Sequence, residues 1–206
     1  MASNIAPPPS MLAGLTGNIG SGKTTVLGMF ERLGAHTLSA DEIVKRLLKE
    51  NEIKDKICAA LGSGVFSGDG ELDKQKTAAI VFDNPALRKK LEEIVHPAVM
   101  REIRERALPV DVTVAEVPLL FEGGYAAVFD VVITVTTPKS LVYERLEKNG
   151  TFSEEDITKR LACQIPDDQK TANSNFVIIN AKDIAYTEEQ VREIYNLLKL
   201  RHWRNI

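Results

Sequence analysis

Short apolar runs alternate with longer amphipathic ones along this chain, the pattern of a parallel sheet flanked by helices. Strands are predicted over residues 12–16, 36–39, 112–117, 131–136 and 176–179. The run V-V-I-T-V from Val131 is almost wholly β-branched, as a strand covered on both faces requires. Helical spacing fills the gaps. One helix covers 25–33 and stops at Gly34. Another covers 41–49, with Ile43, Val44, Leu47 and Leu48 on one stripe, and a third covers 53–61 before Gly62. Ser67-Gly68-Asp69-Gly70 reads as a tight turn. Asp73 caps a helix running to about residue 82, and Pro85 opens the next. That helix is expected to break at His96-Pro97, since the residue before a proline avoids the helical region, with a further helix to about 107. Thr137-Pro138 opens a helix ending near Asn149-Gly150, and Ser153 starts another. A capping box from Thr187 to Gln190 opens the last, which reaches about residue 201.

The interval 50–111 holds only helical patterns and is too long for a simple crossover. It is expected to build a helical substrate-binding insertion. The chain is thus α/β, with a five-stranded, mostly parallel sheet in one domain over residues 11–206.

Composition narrows the function without naming it. With 44% hydrophobic and 27% charged residues, the chain of 206 residues is ordinary for a globular protein. A net charge of -3 argues against a general nucleic-acid binder, and no apolar run approaches the roughly 18 residues of a membrane span. Cys58 and Cys163 lack metal-type spacing and read as reduced thiols of a cytoplasmic protein. His36, His96 and His202 make no zinc pattern. Residues 1–10, with Pro7, Pro8 and Pro9, are expected to be a disordered leader. The expected assembly is a monomer or weak homo-oligomer.

Residues 17–24 read G-N-I-G-S-G-K-T, a G-x-x-x-x-G-K-[ST] phosphate-binding loop set between a predicted strand and a predicted helix. Its glycines let backbone N–H groups approach phosphate oxygens at a positive helix end. Asn18, Gly20, Ser21, Gly22, Lys23, Thr24 and Thr25 are therefore candidate nucleotide contacts. Lys23 supplies a charge to the terminal phosphates, and Thr24 a hydroxyl to Mg²⁺. The ligand class is a nucleoside triphosphate, ATP by default.

Ligands of open parallel sheets bind at the carboxyl ends of strands. Asp41 follows the second predicted strand and can orient or deprotonate an attacking hydroxyl, or simply cap a helix. Glu116 ends the third and is placed to hold Mg²⁺, directly or through water; Pro118 then turns the chain out, and Glu122 is a second acid on the exit loop. Arg145, Lys159, Arg160 and Lys170 fall in a helical hairpin that can close as a lid over phosphates, or present a solvated charged face. Arg145 is the strongest candidate among them. His96 either marks a helix break or touches a substrate. Asn180 follows the fifth strand, where adenine can lie. The run Asn180-Ala181-Lys182-Asp183 lacks the order of a guanine-reading signature.

In this order the motifs resemble the dephospho-coenzyme A kinase family. They are L-T-G-N-I-G-S-G-K-T-T from Leu15, S-A-D from Ser39, V-F-D-N-P from Val81, V-H-P from Val95, V-P-L-L-F-E from Val117, R-L-A-C-Q from Arg160 and N-F-V-I-I-N from Asn175. The resemblance covers about residues 12–200. It implies a P-loop kinase fold with a helical lid over about 138–170, and ATP-dependent phosphorylation of the ribose 3′-hydroxyl of dephospho-CoA. It makes Asp41 the base, Arg145 a lid residue, and His96, Pro118 and Leu119 contacts of the acceptor. The family commonly has Asp where this chain has Ser39, a second lid arginine where it has Asn149, and Asp where it has Asn175. Other readings are a nucleoside monophosphate kinase, which needs an arginine-rich acceptor pocket, and a nucleotide switch, which needs a D-x-x-G loop after the third strand. This chain has E-V-P-L-L there.

Overall fold

The computed structural model describes residues 11–68, 70–82, 84–107, 111–148 and 153–200. The leader at 1–10, the expected helix end at Asn149-Gly150 and the expected terminus of the last helix at 201 lie outside the described residues. The chain forms two compact units, one from the residues up to Ser39 and from Ala107 onward, the other from Ala40 to Arg106.

The first unit is built on a sheet of order β2-β3-β1-β4-β5. Its strands are β1 (Met11–Thr16), β2 (His36–Ser39), β3 (Val112–Glu116), β4 (Val131–Thr136) and β5 (Phe176–Ile179). Every pairing is parallel, so the expectation of a mostly parallel sheet is met in full. β1, β3 and β4 are the central strands, and their near-continuous apolar sequences are buried on both faces. The edge strand β5 leaves Val177 and Ile179 exposed. Parallel strands need crossovers, which α1 (Lys23–Arg32) begins. Its Val26, Met29 and Phe30 pack on Leu15, Val114 and Ile133, with Val191, Ile194, Tyr195 and Leu198 of the last helix in the same core.

The second unit is helical: α2 (Ala40–Leu47), α3 (Asn51–Leu61), α4 (Lys74–Phe82) and α5 (Pro85–Arg106). α2, α3 and α4 each pack on α5. The helix break expected at His96-Pro97 does not occur. α5 runs 22 residues through Pro97. An interior proline forfeits one hydrogen bond and costs roughly 3 kcal/mol. Burial of Val95, Ala98, Val99, Met100 and Ile103 on either side of it opposes that cost. Asp73 caps α4 as expected, taking the N–H groups of Gln75 and Lys76 on Oδ1 at 3.0 and 3.1 Å. These bonds, that to Lys76 first, hold its carboxyl below the usual range. Around the predicted 67–70 turn the chain closes on itself, with Phe66 bridging Leu72.

The first unit adds α6 (Lys139–Lys148), α7 (Glu154–Ala162), α8 (Asp167–Ala172) and α9 (Ile184–Leu200). Ser153 caps α7 by accepting the Asp156 N–H. The sequence placed Lys170 in the helix that begins at Ser153 and did not set α8 apart from it; six residues carry too little periodicity to mark a separate helix. α9 opens before the expected Thr187–Gln190 box. Asp183 provides the cap through the Tyr186 N–H at 2.8 Å. The Gln190 side chain instead braces both N–H and C=O of Ile179 at the end of β5.

Candidate active site

The turn after β1 delivers residues 17–22 into α1. Gly17 has φ 146°, and a Cβ there would collide with the Val135 carbonyl. Gly22, at φ 91°, is the residue before α1, and a Cβ there would strike the Asn180 amide nitrogen. Glycine at both points lets the loop settle against β4 and the end of β5. The first turn of α1 holds no acidic side chain, so its exposed N–H dipoles remain available to an anion.

Three distant elements fix this loop. The Asn180 side chain donates to the Ser21 carbonyl at 2.9 Å. The Thr137 hydroxyl lies 3.0 Å from the same carbonyl and 3.1 Å from that of Asn180. Gln164, at the end of α7, accepts the Ile19 N–H at 2.9 Å. The loop's conformation is thus set by side chains that arrive more than a hundred residues later in the chain.

A cleft of about 570 Å³ opens over the loop, lined by Gly20, Gly22, Lys23, Thr24, Thr25 and, beyond them, Glu116, Arg145, Asn180 and Lys182. Lys23 Nζ lies 3.1 Å from the Asn18 carbonyl, folded across the loop it serves. Thr24 leads from α1 and Glu116 from the end of β3. The threonine hydroxyl stands 3.3 Å from both carboxylate oxygens, which are nearly buried. A hydroxyl and a carboxylate are hard oxygen donors suited to Mg²⁺. No group of three or more His, Cys, Asp or Glu side chains gathers among the described residues. A cation here would therefore take its remaining ligands from phosphate and water, as Mg²⁺ commonly does. Arg145 reaches from α6 to the Asn180 carbonyl at 3.1 Å, with Thr137 at 3.5 Å. Asn180, expected from sequence as a contact for the base, is thus also the joint between the loop, α6 and α9, where Thr187 donates to it at 3.2 Å.

Other cations on the hairpin are committed elsewhere. Lys148 lines the cleft but pairs with Glu144 at 2.6 Å, a hydrogen bond that holds the Glu144 carboxyl below its usual range. Lys159 pairs with Glu155 at 2.8 Å. Lys170, grouped from sequence with the lid cations, lies in α8, fully buried, 2.8 Å from Glu122. A lysine enclosed with its own carboxylate is not free to grip phosphate. Glu122 also accepts the Ile165 N–H at 2.9 Å. Sequence reasoning missed the part played by Gln164 and did not place Lys182, whose Nζ lies 4.1 Å from the Tyr186 ring. The Gln within R-L-A-C-Q was the available signal for the first.

Of the residues expected from sequence to meet an acceptor, Asp41 is exposed in the first turn of α2, just past Ser39, and Ser39 is registered with Glu116 across β2 and β3. His96 lies inside α5, half-buried, rather than at a break. The Pro118 carbonyl accepts the Thr16 hydroxyl at 3.2 Å, which ties the turn after β3 to the end of β1. Leu119, next in that turn, is 44% exposed.

A parallel sheet with a glycine loop at its centre, a lysine and threonine opening the following helix, and an acid on the neighbouring strand define a P-loop kinase fold. An Acinetobacter baumannii shikimate kinase shares that fold at a TM-score of 0.55 and 18% identity, covering 93% of this chain and 94% of its own. The dephospho-CoA kinase family profile matches residues 11–186, and the chain belongs to that family. It is 36% identical to a dephospho-CoA kinase of Aquifex aeolicus over 189 residues, which is 90% of this chain and 96% of the relative. It is also 36% identical to one of Bacillus anthracis over 203 residues, 96% of this chain and 99% of the relative. Among solved structures, a Thermus thermophilus protein aligns at a TM-score of 0.81 and 29% identity, covering 91% of this chain and 96% of its own. A dephospho-CoA kinase from Campylobacter jejuni aligns at 0.69 and 26%, covering 93% and 98%.

Proposed function

We propose that this chain is an ATP-dependent kinase that phosphorylates the ribose 3′-hydroxyl of dephospho-CoA, the last step of coenzyme A synthesis. Membership of the family supports ATP as donor and dephospho-CoA as acceptor. The observation that carries the reading is the meeting of Lys23, Thr24 and Glu116 in one cleft with Arg145 opposite.

The roles follow from chemistry. Phosphoryl transfer needs positioning and charge stabilisation more than covalent help from the protein. The amides of Gly20 to Thr25 cradle the phosphates, Lys23 neutralises charge gathering on the γ-phosphoryl oxygens, and Arg145 adds a second cation. Thr24 and Glu116 would hold Mg²⁺, which when bound would neutralise charge on the triphosphate. Asp41 accepts a hydrogen bond from the acceptor hydroxyl and orients it for in-line attack. His96, Pro118 and Leu119 are assigned to the acceptor, with Leu119 offering an apolar contact. Excluding water matters because water competes with the ribose hydroxyl for the phosphoryl group. We read the enzyme as cytoplasmic; among the described residues no helix is long and apolar enough to cross a membrane.

The test is an acceptor panel of dephospho-CoA, nucleoside monophosphates and water, with ATP and Mg²⁺, following ADP release and the site of phosphorylation. Only dephospho-CoA should be consumed, with 3′ product. Asp41→Asn should lose about 10²- to 10⁴-fold in kcat with ATP affinity retained. Near-normal turnover in that variant would remove Asp41 as the base, and faster transfer to a nucleoside monophosphate would overturn the acceptor.

A further inference from the structure

The phosphate loop is fastened directly to the hairpin of α6 and α7 through Ile19. The Ile19 side chain packs with Val142, Leu146 and Ile157, all buried, and with Tyr143 and Leu161 beside them. Its neighbour Gly20 lies so close to α6 that a Cβ there would stand 2.8 Å from Val142 Cγ1. The backbone N–H of Ile19 is held in turn by Gln164 Oε1 at 2.9 Å, from the residue that follows the last turn of α7. Side chain and amide of one loop residue are thus both committed to the hairpin.

Gln164 is itself held in place. The next residue, Ile165, donates its N–H to Glu122 Oε1 at 2.9 Å. That same oxygen forms an ion pair with fully buried Lys170, whose Nζ lies 2.8 Å away. α8, which carries Lys170, is in turn tied to β4. The Ser174 hydroxyl lies 2.7 Å from the Lys170 carbonyl and 2.6 Å from the Thr134 hydroxyl. The backbone just after Gln164 is thus anchored where its side chain reaches Ile19. An amide N–H that donates to Gln164 is not available to the phosphate cradle. The cradle is then shaped by the amides that follow Ile19.

We propose that Gln164 is a positioning residue for nucleotide binding: by capping the Ile19 N–H it holds the first half of the phosphate loop in its anion-binding conformation and couples that conformation to the packing of α6 and α7. The proposal rests on the kinase reading for its link to turnover, but its core claim concerns nucleotide affinity. Removing Gln164 weakens ATP and leaves the acceptor untouched, since its side chain is bonded to the phosphate loop at Ile19.

The experiment compares Gln164→Leu, which has no acceptor, with Gln164→Glu, which keeps an oxygen facing the Ile19 N–H. Three quantities are read on the full chain: amide exchange at Ile19, ADP affinity by calorimetry, and kcat with the KM of each substrate. In Gln164→Leu the Ile19 amide should lose protection, and ADP affinity and the KM for ATP should worsen together by about three- to tenfold, the worth of one hydrogen bond. The KM for dephospho-CoA should stay within twofold, roughly the noise of such a measurement. Gln164→Glu should restore Ile19 protection and most of the affinity. Unchanged ADP affinity in Gln164→Leu, with only a lower Tm, would overturn the proposal and leave Gln164 a structural tie. Equal loss in both variants would overturn it too, because the acceptor oxygen would then not be what matters. If the wild-type chain failed to phosphorylate dephospho-CoA, the kinase reading would fall. The exchange and ADP arms would still decide Gln164.

Discussion

In the sheet unit, Lys170 is wholly enclosed and meets Glu122, whose side chain is 16% exposed. In the helical unit the most enclosed acid of an ion pair among the described residues is Glu102, at 12%, but its partners Arg46 and Arg106 are about half in water. Removing a charge from water costs several kcal/mol, and only a well-placed partner offsets it. The sheet unit accepts that cost on both sides of its pair; the helical unit accepts it on one. The enclosed pair sits where it fixes Ile165, beside the glutamine that holds the phosphate loop. Most of the helical unit's remaining pairs join near neighbours on helix surfaces, as Lys56 with Glu52 and Lys89 with Glu93 do, and Lys54 ties α3 to Glu71, a carboxylate about half in water. Buried polar order is therefore concentrated around the nucleotide cleft. The helical unit is an apolar seam around α5 with a solvated face.

The largest expected effect needs no change in folding. On the proposed reading, Lys23→Met should cut turnover by about 10³-fold while leaving the melting temperature within about a degree, since that reading has the lysine neutralise phosphate charge rather than support the core. A matching fall in Tm would show that the loop depends on it structurally. Next, Lys170→Met should destabilise by about 3–5 kcal/mol in denaturant titrations, because Glu122 is left enclosed without its partner. A loss under about 1 kcal/mol would erase the contrast between the two units. Ile133→Ala in β4 and Ile57→Ala in α3 remove side chains that are both fully buried. The range for such truncations is about 2–5 kcal/mol. The sheet residue should fall at its upper end, because layers on both faces prevent collapse, and the helical one at its lower end. Smallest, Glu102→Gln should cost about 1 kcal/mol or less, the worth of a pair whose arginines remain solvated, and that cost should shrink in high salt. A cost near that of Lys170→Met would mean the helical unit also relies on enclosed charge.

Sequence and structure part company at particular residues. The central strands β1, β3 and β4 were legible because a strand buried on both faces must be nearly all apolar, and the phosphate loop because only glycine tolerates its backbone. The pairing of Thr24 with Glu116 was half legible: each was a separate candidate for Mg²⁺, and the parallel register brought them to 3.3 Å. The proline rule failed at His96-Pro97, where a local preference gave way to burial along α5. The capping box at Thr187 failed similarly, since Asp183 took the cap and left Gln190 to brace Ile179.

By itself the sequence determined the order of the five strands, the phosphate loop and the family, because these depend on local periodicity, backbone permission and motifs that keep their order. Only the tertiary structure decided which polar side chain answers which backbone group. Gln164 finds Ile19, Asn180 finds Ser21, and Lys170 turns inward to Glu122 rather than outward to a lid. The physical reason is range. A buried polar atom must find a partner somewhere, and across separations of 145 or 159 residues the chain carries no periodic mark of where that partner will be.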